Sequence, residues 1–191
     1  MKKYSLTKTT EEYFGITLFQ IKANISFGGV TKGELGGYIE KEENLSQEDN
    51  AWVYGNARVY GDARVCGNAR VYGNARVYGN AWVYGNAWVY GNARVCGNAW
   101  VYGDAQVYGN AWVYGDAWVY GDAQVYGKLK LLAGLFFGIR YKKEEIKFVP
   151  VDEDNELVCK GEIKLGEDEL ETKNPSEIAI GGAIYVLKVN K

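Results

Sequence analysis

The chain has 191 residues, of which 47% are hydrophobic and 24% are charged, and its formal net charge is −2 at pH 7. This balance gives no bulk attraction to nucleic acid or to a membrane surface. The length suits one elongated domain with caps, and we expect a single rod.

Residues 1–49 precede the repetitive part of the chain. They begin MKKYSLTKTTEEYFG, which lacks the apolar stretch of a secretory signal, so we expect a cytoplasmic protein. We predict an N-terminal β cap here, a hairpin or small sheet that closes the open end of the repeat. Gly36, Gly37, Ile39 and Leu45 would lead into the first coil.

Thirteen consecutive hexapeptides of the form [N/D]-A-x-V-[Y/C]-G run from Asn50 to Gly127. A short fixed period predicts a β-helix, because each copy can bury its apolar side only by stacking on its neighbours. Three hexads make one triangular coil of 18 residues, so residues 50–127 supply four and one third coils. Val and Ala share the inward side of each strand, the x residue and Tyr point outward, and Gly with Asn or Asp forms the corner.

Positions 18 residues apart stack on the same face, which sorts the x residues into three columns. The first column is Trp52, Arg70, Trp88, Gln106 and Gln124; the second is Arg58, Arg76, Arg94 and Trp112; the third is Arg64, Trp82, Trp100 and Trp118. Beside these run three columns of Tyr, in which Cys66 and Cys96 replace a Tyr.

The second column carries three like charges in successive rungs, about 4.8 Å apart. Their repulsion predicts an offsetting contact. One interpretation is internal, with guanidinium planes stacking on one another and on neighbouring Tyr. The other is a ligand site, in which an anion with a planar group, such as a nucleotide, or an acidic partner surface lies over the column. The predicted ligand-binding residues are Arg58, Arg76, Arg94, Tyr60, Tyr78 and Trp112.

The third face presents an aromatic surface larger than monomers usually leave exposed. Its predicted interface residues are Trp82, Trp100, Trp118, Tyr84, Tyr102 and Tyr120. Aromatic side chains are enriched at interface cores, which favours a homo-oligomer. The alternative is that these Trp and Tyr side chains only stack on one another along the rod and remain partly exposed to solvent.

Residues 128–191 contain four strand-like apolar runs, with D-E-D-N at 152–155 as a turn between the second and third. The longest run, at 129–139, is interrupted by Lys130 and is too short to span a membrane. We predict a C-terminal β-rich cap that covers the bare edge of the last coil.

The chain has no histidine, and no phosphate-binding Gly-rich motif occurs. The repeat carries four aspartates, Asp62, Asp104, Asp116 and Asp122, all at corner positions that favour a turn role over catalysis. The three cysteines of the chain, two in the repeat and Cys159 after it, show neither metal-ligand spacing nor a disulfide framework. We therefore expect no cofactor and no metal.

The repeat V-Y-G-N-A-R resembles the hexapeptide repeat of left-handed parallel β-helix proteins, with Tyr or Cys in a slot that usually holds Gly, Ala, Glu or Asp. The N-terminal runs LTKTTEEYFGITLFQIKA and FGGVTKGELGGYIEKEENLS resemble phage-borne and bacterial hexapeptide-repeat proteins often catalogued as transferases. The resemblance implies a left-handed coil and side-by-side trimers. Acyltransferases of this type use a histidine base, and zinc carbonic anhydrases on the same coil use three histidines, which this chain lacks.

The sequence as a whole favours an all-β, single-stranded left-handed parallel β-helix with β-rich caps at both ends. We expect a non-catalytic binding or scaffold module, of phage origin and in the host cytoplasm if the resemblance holds. Its partners would be copies of itself, most simply as a trimer, and an anionic small molecule or acidic protein, with no membrane and no sequence-specific nucleic acid. The alternatives are an acyltransferase that works between subunits without histidine and a purely structural phage component.

Overall fold

A computed structural model describes residues 1–138, 146–152, 155–160, 177–180 and 183–186, with side chains described for residues 1–137. Met1–Ile139 and Arg140–Lys191 form two compact units. In the first unit, a parallel β-solenoid is built from strands 18 residues apart, as the repeat predicts.

The hexads supply two-residue strands, each made of the x residue and the Val. These are β4 (Trp52–Val53), β5 (Arg58–Val59), β6 (Arg64–Val65), β7 (Arg70–Val71), β8 (Arg76–Val77), β9 (Trp82–Val83), β10 (Trp88–Val89), β11 (Arg94–Val95), β12 (Trp100–Val101), β13 (Gln106–Val107) and β15 (Gln124–Val125). The longer strand β14 (Trp112–Gly121) continues around one corner and joins two faces.

Three faces follow from the strand order. The first face is β4, β7, β10, β13 and β15; the second contains β5, β8, β11 and the start of β14; the third contains β6, β9, β12 and the end of β14. Equivalent residues lie side by side in register, for example Arg76 with Arg94 and Trp100 with Trp118. The three predicted columns are therefore confirmed.

The core is the column of Val and Ala side chains inside the coils. Every Val of the repeat and every Ala except Ala123 is at most 1% exposed, and Ala123 is 8% exposed. Inward Val and Ala and outward x residues are thus confirmed, with one exception. Trp52 is fully buried rather than outward in solvent, because Tyr4 and Phe27 from the N-terminal segment pack edge-on against its ring.

The corners carry hydrogen-bonded ladders of Asn side chains. In one corner Nδ2 of Asn50 donates to Asn68, Asn68 to Asn86, and Asn86 to Asp104, over 2.9–3.0 Å. Another corner runs from Asn80 through Asn98 to Asp116, and a third from Asn74 through Asn92 to Asn110. Asp104 and Asp116 thus end their ladders as acceptors, in the turn role that the sequence favours.

The N-terminal segment is a small sheet that joins the solenoid directly. Strands β1 (Tyr4–Tyr13), β2 (Ile16–Ala23) and β3 (Leu35–Ile39) pair antiparallel, a short 3-10 helix spans Glu42–Asn44, and β3 pairs in parallel with β5. Gly36 and Gly37 permit this approach, since a Cβ on either would lie 2.6 Å from a backbone oxygen of the first coil. Parallel pairing therefore begins at Tyr38, before the hexads do.

The solenoid also continues past the last hexad. Strand β16 (Lys130–Gly138) pairs in parallel with β14, which brings the second face to six strands and the solenoid to about six turns. In the second unit, β17 (Ile146–Asp152) pairs with β18 (Asn155–Lys160), and β19 (Glu177–Ile180) pairs with β20 (Ala183–Val186). The strand ends at Asp152 and Asn155 agree with the predicted turn, and the capping role predicted for this region stays a prediction.

Candidate functional site

The second face holds the predicted arginine column. Arg58, Arg76 and Arg94 occupy successive rungs, with Tyr38 before them and Trp112 and Lys130 after them. Strands fix the backbones of the three arginines at the same height in each coil. Their half-buried side chains therefore lie side by side along one line.

Arg58 already has an acidic partner within the chain. Its Nε and Nη2 donate to Oε1 of Glu11 over 3.1 and 2.6 Å, and Nη1 donates to the carbonyl of Asn56 over 3.2 Å. The side chains of this ion pair are only 17% and 29% exposed, which strengthens it relative to a surface pair. An anion that lies over all three guanidinium groups is therefore disfavoured at the Arg58 end.

Tyr13, on the same strand as Glu11, covers the next step of the column. Its ring centroid lies 4.8 Å from the guanidinium carbon of Arg58 and 5.3 Å from that of Arg76, and its edge meets Tyr60 at 5.7 Å. The hydroxyl of Tyr13 is enclosed and has no hydrogen-bond partner among residues 1–137. Part of the predicted repulsion is thus offset by cation–π contact.

Arg76 and Arg94 differ from Arg58 in their partners. Within the part of the chain whose side chains are described, no carboxylate lies within 4 Å of either guanidinium. Arg76 rests on Tyr13, and Arg94 lies 4.3 Å from the ring centroid of Trp112. Two adjacent positive charges are thus oriented by aromatic rings and are not neutralised by a carboxylate.

The three aromatic residues predicted to stack a ligand are not equally open. Trp112 lies between Arg94 and Lys130, whose Nζ is 5.4 Å from its centroid, so both of its faces are covered. Tyr60 lies between Tyr13 and Tyr78, and it stacks on Tyr78 at 5.0 Å with an interplanar angle of 3°. Only Tyr78 has one face directed toward a rung without a ring, the rung of Cys96.

The third face forms the predicted aromatic wall. Trp82, Trp100 and Trp118 stack at 5.5 and 5.0 Å, and Tyr84, Tyr102 and Tyr120 stack at 4.9 and 5.1 Å. Strand β16 extends this wall by Leu135 and Phe137, which are 63% and 58% exposed beside Trp118 at 38%. The sequence pattern alone did not include Leu135 and Phe137, because they lie beyond the hexads.

The first face binds the N-terminal loop. Arg70 donates from Nη2 to the carbonyl of Gly28 over 3.1 Å and lies over Trp88. Two Tyr hydroxyls donate to the Gln side chains of the following rungs, over 3.2 Å in both cases. Internal contacts therefore occupy this face both at its start, through Arg70, and along its later rungs, through the Tyr–Gln pairs.

Sequence reasoning missed Glu11 and Tyr13 as parts of the site. Their signal is the run T-E-E-Y in a strand-like segment, which places an acid and an aromatic ring on the same side of β1. That signal does not identify the arginine that these residues contact. The contact depends on the path of residues 1–49, which no repeat dictates.

Other parts of the described surface are weaker candidates for a ligand or metal site. A shallow depression lined by Lys41, Glu43, Asp62, Ala63 and Arg64 has its main charges paired, since Lys41 Nζ lies 2.7 Å from Asp62. Among the described residues, no group of three or more Cys, Asp or Glu is placed to hold a metal ion. The described part of the chain also contains no helix with the length and apolarity needed to cross a membrane.

The repeat body matches the family described as YdcK beta solenoid repeat, over residues 51–67, 63–75, 69–85, 75–91, 87–103 and 105–121. This match and the parallel ladder together identify the chain as a β-solenoid repeat protein. The match does not support the resemblance to transferase-type hexapeptide proteins, which stays a prediction. No curated protein matches the chain.

Proposed function

We propose that this β-solenoid is a non-catalytic binding module whose second face takes an anionic group on Arg76 and Arg94. The observation that carries the proposal is the contrast along one column. Arg58 has a carboxylate partner, whereas the next two guanidinium groups have aromatic contacts and no carboxylate among residues 1–137. Adjacent, preoriented guanidinium groups suit a carboxylate or phosphate ligand.

The pair formed by Glu11 and Arg58 supports this chemistry from within the molecule. It places one carboxylate oxygen against two guanidinium nitrogens of a rung that has the same backbone geometry as those of Arg76 and Arg94. An external anion would bind the next two rungs in the same way and would relieve their mutual repulsion. Tyr13 would position Arg76, and Trp112 would position Arg94, before the ligand arrives.

The proposal is tested by titrating pyrophosphate into the protein at low salt, with calorimetry or a thermal shift as the readout. Binding should raise the melting temperature by mass action and weaken as salt screens the charges. Arg76→Ala should reduce the affinity without loss of fold. Arg64→Ala is the matched control, because Arg64 also contacts a ring, that of Trp82, but lies on the third face. Equal affinity in all three proteins would refute the proposal.

A second candidate function, assembly as a scaffold, is favoured by the aromatic wall of the third face. Its outer side chains from Trp82 onward carry no charge, and its last rungs are widely exposed at Leu135 and Phe137. The occupant we propose is the same face of a second copy, because two identical ladders share one rung spacing and neither presents a charge that needs a partner. A contact of this face with itself closes as a dimer, and the side-by-side trimer expected from the sequence would need a second, different contact patch on each chain.

An acyltransferase that works without histidine is less well supported. It would need a carboxylate or thiol base in a cleft. The described repeat aspartates 62, 104 and 116 accept hydrogen bonds from Lys41, Asn86 and Asn98, so they have structural partners. Turnover of acetyl-CoA that disappears on changing one carboxylate would establish this alternative.

A further inference from the structure

The tyrosine column of the second face is interrupted. In the first-face column, Tyr72, Tyr90, Tyr108 and Tyr126 stack without a break at 4.8–5.2 Å. In the second-face column, Tyr60 stacks on Tyr78, but the next rung holds Cys96 and the one after it holds Tyr114. The ring of Tyr114 contacts Trp112 edge-on, and among residues 1–137 it has no stacked partner.

A cysteine side chain is much shorter than a tyrosine ring, so this rung lacks one layer of the ladder. Tyr78 and Tyr114 are two rungs apart, which corresponds to about 10 Å at the usual strand spacing. That separation leaves room for one flat ring at the spacing of the intact ladders, about 5 Å from each neighbour. Cys96 at this rung is half-buried and has a side-chain hydrogen bond with Tyr78, so it contacts the hydroxyl end of that ring.

Cys96, which stands where the ladder would have a ring, lies in the same rung as Arg94. Arg94 precedes Val95 on β11, and Cys96 follows it directly. Arg76 occupies the preceding rung, next to Tyr78. A ligand ring at this height would therefore have both guanidinium groups beside it.

We propose that the gap over Cys96 binds the flat heteroaromatic ring of a small anion, with its phosphate or carboxylate on Arg76 and Arg94, as in a nucleoside monophosphate. The ring replaces the absent tyrosine and stacks on the open face of Tyr78. This inference rests on the proposed anion-binding function and adds the class of ligand. Stacking on an aromatic side chain tolerates different bases, so selectivity for one base is not expected.

The test compares adenosine monophosphate with inorganic phosphate on three proteins, the natural chain, Cys96→Tyr and Cys66→Tyr. The natural chain should bind the nucleotide about tenfold or more tighter than phosphate, in keeping with the usual gain from stacking one base. Cys96→Tyr fills the gap with the residue that the repeat usually has there, and should reduce nucleotide affinity to that of phosphate. Cys66→Tyr changes the first rung of the third-face column and should leave both affinities unchanged.

A second measurement needs no variant. Saturating nucleotide should slow alkylation of Cys96 several-fold, measured by peptide mass spectrometry, while Cys66 in the same sample reacts at its original rate. Phosphate should protect neither thiol.

The outcomes separate the two proposals. If phosphate binds and Arg76→Ala weakens it, but the nucleotide binds no tighter or Cys96→Tyr binds it equally well, the gap is not a ring site and the anion-binding function stands. If neither ligand binds, both proposals fail. Circular dichroism and thermal melting establish that Cys96→Tyr is folded, and thiol protection alone decides the inference if it is not.

Discussion

Glu11 and Arg58 are 47 residues apart in the chain, yet one carboxylate oxygen of Glu11 accepts hydrogen bonds from both Nε and Nη2 of Arg58. The pair connects the N-terminal sheet to the first rung of the arginine column. Because Glu11 occupies its Nε and Nη2, Arg58 is also less available to other anions. Glu11 therefore both stabilises the contact between the N-terminal sheet and the solenoid and competes with an external anion for the arginine column.

Glu11→Gln should separate these two roles. Loss of the charge should destabilise the fold by about 1 kcal/mol, because the ion pair is largely shielded from water. Pyrophosphate affinity should rise, since Arg58 becomes available as a third guanidinium. Thermal melting and calorimetry measure the two effects.

Glu12→Gln is the matched control, because Glu12 is the exposed neighbour that accepts a hydrogen bond from Thr17. It should leave the anion affinity unchanged. An unchanged affinity in Glu11→Gln as well would show that Arg58 does not share a ligand with Arg76.

Trp100→Glu tests the aromatic wall as an interface. Trp100 stacks between Trp82 and Trp118 and points away from the Val core, so a charge here should spare the coil but oppose burial against a second copy. Sedimentation velocity should show a shift to monomer. Trp88→Glu, on the first face, is the control and should leave the assembly intact. A natural chain that sediments as a monomer would place the wall in solvent.

The corner ladders predict that identical substitutions will differ by position. Asn86→Asp removes the donor to Asp104 and sets two carboxylates together, so it should cost about 1 kcal/mol or more. Asn110→Asp keeps an acceptor for Asn92 and should cost less than half of that. Denaturant unfolding of both variants at pH 7 measures the difference. Equal losses of unfolding free energy would contradict the prediction, because they would show that losing the donor to Asp104 has no cost of its own.

Lys3 makes stability depend on pH. It is only 2% exposed, its Nζ donates to the carbonyls of Asp49 and Ala51, and burial lowers its pKa to about 8 despite the opposing charge of Asp49. Between pH 8 and the ordinary value of 10.5 the unfolded chain binds the extra proton. The contribution of Lys3 to the free energy of unfolding should therefore rise with pH, by up to about 1.4 kcal/mol per pH unit.

Lys3→Met should abolish this rise, as measured by urea unfolding between pH 7 and 9.5. Tyrosines act in the opposite direction, since burial raises the pKa of residues such as Tyr60 to about 12 and their contribution falls as the unfolded tyrosines ionise. That effect is common to both proteins and cancels in their difference. Parallel pH curves would contradict the assignment of Lys3.

The sequence predicted the repeat body closely because one translational rule fixes it. Once Val83 packs on Val101, every residue 18 positions away must follow, so the columns and the core could be read from spacing alone. Three contacts could not be read from spacing: the burial of Trp52, the ion pair of Arg58 and the contact of a second cation with Trp112. Each depends on a segment outside the hexads, where Phe27, Glu11 and Lys130 reach their partners through tertiary contacts.

The Asn ladders that close the corners also bear on how such a protein changes length. In these ladders each donating Asn bonds to the side chain one coil nearer the C-terminus, so a duplicated coil inserted between Asn68 and Asn86 keeps the chain of donors and acceptors whole. The ladder already ends at Asp104, because a carboxylate has no proton to donate, so a coil inserted after Asp104 gains no bond at that corner. Duplication among the early coils therefore extends the side-chain ladder, whereas duplication after Asp104 does not.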